Sequence, residues 1–129
     1  MPDSRTKRAG YDHDVTIFHN PSCSKSRGAL AILGERAVDY GVVEYLKAPP
    51  SRDALEAIIT KLVDPVADLV RTSDQRFVDL GLDPAGYQSP AAVVELLLAH
   101  PELMQRPVVV RGDRAVIARP EARVAEILD

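Results

Sequence analysis

Apolar positions along the chain switch between short β-type runs and helical stripes. Val15-Thr16-Ile17-Phe18 is a run of β-formers and predicts a buried strand. His19-Asn20-Pro21-Ser22 follows as a turn, with Ser22 as the expected N-cap of a helix over about Cys23 to Leu33. Leu30 and Leu33 share one face of that helix, and Gly34 marks its expected end. Val38 to Tyr45 predicts a second strand, interrupted by Asp39 and Glu44. Pro49-Pro50 breaks the chain, and Ser51 caps an amphipathic helix with Leu55, Ile58, Ile59 and Leu62 at helical spacing. Pro65 opens a short helix carrying Val66, Leu69 and Val70. Ser89-Pro90 is a strong helix start, a capping residue followed by proline at the first helical position. Val93, Val94, Leu97 and Leu98 line that helix, which ends near His100-Pro101. Pro107-Val108-Val109-Val110 and Ala115-Val116-Ile117-Ala118 predict a strand pair, joined at Gly112-Asp113 by a tight hairpin. Pro120 opens a last helix with Val124, Ile127 and Leu128 on one stripe.

The order is βαβ, a helical block, then ββα. The first part predicts a parallel strand pair with a crossover helix, and the second adds a hairpin and a closing helix. Together they make an α/β fold, a four-stranded mixed sheet resembling a thioredoxin-like core with a helical insertion at about 46–105. The 129 residues suit one domain, read as 15–129, preceded by a polar extension over 1–14 that is expected to be disordered.

Composition narrows the function classes. No apolar run approaches the ~18 residues of a membrane span, and Met1 to Asp14 holds no secretory signal. A net charge of −3 gives no general reason to expect nucleic-acid binding. The single cysteine excludes an internal disulfide and a cysteine-rich zinc site, and no bound cofactor or metal is expected. A lone thiol without a secretory signal points to the reducing cytoplasm.

That thiol, Cys23, falls where a strand ends and a helix begins. Free amides at a helix N-terminus attract negative charge, so a thiolate there is stabilised and the cysteine is reactive. The bland alternative is a small buried residue. Ser26 stands where a dithiol oxidoreductase carries its second cysteine, so an oxidised Cys23 needs an external thiol to resolve it. His19, four residues earlier, is a candidate to tune the sulfur's ionisation. Lys25 and Arg27 oppose the helix dipole but favour an anionic substrate, and each also reads as ordinary solvated charge.

The stretch His19-Asn20-Pro21-Ser22-Cys23-Ser24-Lys25-Ser26-Arg27 resembles the active-site signature of the arsenate reductase family that works with glutaredoxin. The likeness continues through Glu44-Tyr45-Leu46-Lys47-Ala48-Pro49-Pro50-Ser51-Arg52, Leu69-Val70-Arg71-Thr72, Gln105-Arg106-Pro107-Val108-Val109 and Ala118-Arg119-Pro120, and covers about 15–128. The resemblance implies that Cys23 attacks arsenate and that Arg71, Arg106 and Arg119 hold the oxyanion. It implies a cis-proline at Pro107, with Ser26 and His19 assisting the sulfur. It also implies glutathione, or an equivalent thiol, as co-substrate and a glutaredoxin-type protein as partner. Guanidinium forks suit arsenate, whose charge is close to that of phosphate.

Other branches of the same fold offer rival readings. One consists of transcription regulators that bind RNA polymerase and sense redox state with a Cys-x-x-Cys switch, which Ser26 removes. Another holds glutathione-dependent thiol oxidoreductases of unsettled substrate. A monothiol glutaredoxin-like protein, or a binding module that keeps the anion pocket without turnover, completes the set.

Overall fold

The computed structural model describes residues 11–128. β1 (Val15–His19) pairs in parallel with β2 (Tyr40–Glu44), with Val15 opposite Tyr40 and His19 opposite Glu44. On its other side β1 runs antiparallel to β3 (Val108–Arg111), Ile17 facing Val109. β3 turns through Gly112-Asp113 into β4 (Arg114–Ile117), with Val109 opposite Val116. The sheet order is β2-β1-β3-β4, the four-stranded mixed sheet expected. Every residue of β1 is buried, as its unbroken apolar run requires of a strand covered on both faces.

The alternation of side chains along the strands feeds two cores. Val15, Ile17, Val109 and Val116 pack with Ala29 and Leu33 of α1 (Ser24–Glu35) and with Val124 and Ile127 near the C-terminal α5 (Ala125–Leu128). Phe18, Val43, Val108 and Ile117 face the opposite layer, formed by the segment between β2 and β3. That segment contains α2 (Arg52–Lys61), a 3-10 turn at Val66–Leu69, α3 (Gln75–Asp79) and α4 (Pro90–Ala99). Leu55, Ile58, Phe77, Val93 and Leu97 supply its apolar faces. Ser51 and Ser89 cap α2 and α4 through their side chains, accepting from Ala54 N–H and Ala92 N–H. Such caps contribute about 1 kcal/mol each.

Boundaries depart from the sequence reading in particular places. α1 starts at Ser24 with Cys23, not Ser22, at the N-cap. The cause is Asn20, whose Oδ1 accepts Ser22 N–H at 2.9 Å and folds an Asx turn ahead of the helix. Gly34 does not end α1, which runs to Glu35, and the left-handed residue that reverses the chain is Ala37 (φ 54°). β2 is accordingly shorter than Val38 to Tyr45. α3 was not anticipated, being a single short stretch capped by Asp74, which accepts Arg76 N–H. The last helix begins as a 3-10 turn at Glu121–Val124 before α5.

Of the expected N-terminal extension, residues 1–10 lie outside the described residues. Tyr11 packs edge-on against Phe18 at 5.8 Å, His13 bonds Asp39 at 2.8 Å, and Asp14 pairs with Arg111 at 3.0 Å. Among the described residues no helix is long and apolar enough to cross a membrane.

Candidate active site

The turn after β1 delivers the cysteine. Cys23 N–H donates to Asn20 O at 3.0 Å, and Cys23 O accepts Arg27 N–H at 2.9 Å as the first helical bond of α1. The side chain makes no capping bond, so the partly exposed sulfur stays available at the helix N-terminus. Arg27 spends its guanidinium on Pro21 O at 2.9 Å, closing the same turn.

Around the sulfur the donors converge. Arg119 Nη1 lies 3.8 Å from Cys23 Sγ and donates to Arg106 O at 2.9 Å. Burial pushes the Cys23 thiol up. The backbone N–H of Ser26, the Arg106 guanidinium, the Lys25 N–H and Arg119 outweigh it and bring the pKa down from 9.0 to about 7. Thiolate is the alkylating form, so the rate of iodoacetamide alkylation of Cys23 rises with pH and levels off above a midpoint near 7. Because this acid's pKa is depressed in the fold, its contribution to stability is complete above pH 9.0 and fades as pH falls through about 7. Alkylation rates from pH 5 to 10, read by mass, check the midpoint; one at an unperturbed thiol's value would refute the donor arrangement.

Arg71 stands close enough to the other two arginines to feel both charges. Burial, then Arg106, lowers its pKa, while Asp74 opposes the change through an ion pair at 2.8 Å. Tyr45, fully buried at the end of β2, lies against Arg106 and Arg71; burial raises its pKa and Arg106 works against the rise. Arg106 Nε is buried with no hydrogen-bond partner among the described residues. A charged donor left so is costly unless a ligand meets it. Arg71, Gln105, Arg119 and Arg123 line a polar cavity of about 340 Å³, so Arg119 joins that cavity to the sulfur.

His19 and Ser26 are both buried, and His19 Nδ1 sits 2.7 Å from Ser26 Oγ, which also accepts Asn20 N–H at 3.0 Å. Burial lowers the His19 pKa, keeping the ring neutral at pH 7. The Ser26 group facing the sulfur is its backbone N–H, while its hydroxyl ties His19 and Asn20 together. Lys25 is drawn aside to Glu121 at 3.5 Å. Glu121 in turn lies against Gly28, where a Cβ would come within 3.0 Å of its side chain, so glycine lets the segment after Arg119 approach α1.

The peptide bonds Arg106–Pro107 and Arg119–Pro120 are both cis. The resemblance implied the first and not the second. Sequence reasoning also missed Tyr45 and Asp74 as neighbours of the arginines: an aromatic at a strand end and an aspartate cap carry no local mark of such contacts. Among the described residues no group of three or more His, Cys, Asp or Glu is placed to hold a metal ion.

A family model described as the ArsC family matches residues 18–127. The chain is 41% identical over 115 residues to an arsenate reductase of Rhizobium meliloti (88% of this chain, 81% of that protein). It is 39% identical over 115 residues to one of Haemophilus influenzae (88% and 98%). The solved structure of an arsenate reductase from Vibrio cholerae superposes with a TM-score of 0.79 at 34% identity, covering 93% of this chain and 99% of that one. With the matched segment running from the end of β1 through Cys23, the other three strands and all three arginines, this chain belongs to the ArsC family.

Proposed function

We propose that the chain reduces arsenate to arsenite at Cys23, with an external thiol as reductant. The observation that supports this most is the meeting of the Arg106 and Arg119 guanidiniums on a partly exposed thiol with a pKa of about 7. In that reading Arg71, Arg106 and Arg119 bind the oxyanion, and the unpartnered Arg106 Nε is one of the donors it fills. Ser26 and His19 hold the turn that aims the Ser26 and Lys25 amides at the sulfur.

The Cys23 thiolate attacks arsenic; an S–As bond forms and an arsenate oxygen leaves as water after taking up protons. Glutathione, or an equivalent small thiol, then attacks the Cys23 sulfur. An S–S bond forms, the S–As bond breaks, and its electron pair stays on arsenic, which departs as As(III). The reducing electrons come from the two thiols, which end as a mixed disulfide. Ser26 offers no second thiol to resolve that disulfide, so a glutaredoxin-type protein does so by exchange and restores Cys23. In this reading the cycle runs in the cytoplasm, where reduced thiols are maintained.

A coupled assay tests the reading. Arsenate, glutathione and glutaredoxin are supplied to the protein, with other low-molecular-weight thiol systems in parallel, and arsenite is quantified directly. Arsenite release dependent on both the chain and a thiol is expected. Folded protein that yields no arsenite with any thiol system would refute the proposal.

A further inference from the structure

The outer edge of β4 ends on a carboxylate. Residues 62–64 run along that edge: Leu62 bridges to Ala115 in parallel, and Val63 N–H donates to Ala115 O at 2.9 Å. Asp64 is followed by Pro65, which has no N–H to continue a ladder. The next partner comes instead from the Asp64 side chain, whose Oδ2 accepts Ile117 N–H at 2.9 Å. Its Oδ1 pairs with Arg123 Nη1 at 2.9 Å, and the same Nη1 donates to Ile117 O at 2.8 Å. Both backbone polar groups of the last β4 residue are therefore gripped by one ion pair. Asp64 is only 12% exposed, so the pair is largely shielded from water and stronger than a surface salt bridge.

The grip bears directly on Arg119. Arg119 N–H donates to Ile117 O at 2.9 Å, the carbonyl that Arg123 holds. The Arg119 guanidinium bonds the Cys23 sulfur and the Arg106 carbonyl, with its aim set by where its backbone stands. We propose that Asp64 and Arg123 are a positioning pair, fixing the corner from Ile117 to Arg119 so that the Arg119 guanidinium meets Cys23 and the oxyanion bound there. The inference rests on the proposed reading of Arg119 as an oxyanion ligand. It adds two residues that line the polar cavity beside Arg119 and are not among the donors to the sulfur.

The test compares wild type, Asp64→Ala, Asp64→Asn, Arg119→Ala and the Asp64→Ala/Arg119→Ala double variant. Two quantities are measured: the pH midpoint of Cys23 alkylation, and KM against kcat for arsenate. Asp64→Ala is expected to raise the arsenate KM about tenfold, the loss of one charge-assisted hydrogen bond. It also moves the alkylation midpoint upward, in the direction of Arg119→Ala. Asp64→Asn keeps an oxygen for Ile117 N–H and loses one of the two carboxylates that hold Arg123, the other being Glu126 at 2.9 Å, so it shifts both quantities the same way by less. In the Arg119→Ala background, Asp64→Ala adds nothing to either. Wild-type midpoint and KM in the aspartate variants would overturn the proposal, and so would an Asp64→Ala effect of undiminished size without Arg119. If Asp64→Ala does not fold, Asp64→Asn decides alone. If wild type turns over no arsenate, the proposed activity fails while the alkylation midpoint still judges the positioning pair.

Discussion

Cys23→Ser is expected to lose at least about a thousandfold in arsenate turnover while remaining folded, since the nucleophile and electron donor are the same atom. A serine hydroxyl is not ionised near pH 7 and cannot end the cycle as a disulfide. The fold has no need of the sulfur: Cys23 is partly exposed at the N-cap of α1 and makes no side-chain capping bond. Serine is a better N-cap than cysteine, so the melting temperature should hold or rise, with up to about 1 kcal/mol gained. Turnover by the serine variant within tenfold of wild type would place the chemistry elsewhere.

Arg106→Ala is expected to follow, with kcat/KM falling about a hundred- to a thousandfold, the range for removing one preorganised donor to developing charge. Arg106 acts on Cys23 and keeps one buried donor unengaged. Its guanidinium is among the donors that lower the Cys23 pKa, and its buried Nε has no hydrogen-bond partner among the described residues. The variant should therefore also shift the alkylation midpoint above about 7, with thiolate scarcer at neutral pH. Arg106→Lys keeps the charge but not the planar fork, and an intermediate loss is expected. Unchanged kcat/KM and an unchanged midpoint in Arg106→Ala would remove this residue from the mechanism.

The sheet was readable from sequence because each strand's chemistry agreed with its place. A continuous apolar run became the central, doubly covered β1, and Gly112-Asp113 became the hairpin. Ser51 and Ser89 announced their helices because capping is a local event. The start of α1 was misplaced by one residue because the competing Asx turn of Asn20 lies in the same polar cluster. At the site, the position of Cys23 was legible from the strand-to-helix turn, but the gathering of arginines from three distant segments was available only through family resemblance. The local readings of Ser26 and Lys25 did not anticipate that one turns its hydroxyl to His19 and the other is held by Glu121. The Asp64–Arg123 pair left no trace in the sequence, since its partners are backbone atoms of Ile117.

Crowding positive groups around one thiol makes folding and occupancy a single equilibrium. Arg71 already gives up part of its proton affinity to burial and to Arg106, so there is repulsion among the guanidiniums within the native state. Any tetrahedral anion that settles among the guanidiniums relieves it, and at a hundred times its dissociation constant adds about 2.7 kcal/mol to the resistance against unfolding. Guanidinium forks read charge and shape, which phosphate and sulfate share with arsenate. Buffer anions that never react should thus brace the molecule, leaving discrimination to the one event they do not undergo, reduction at sulfur.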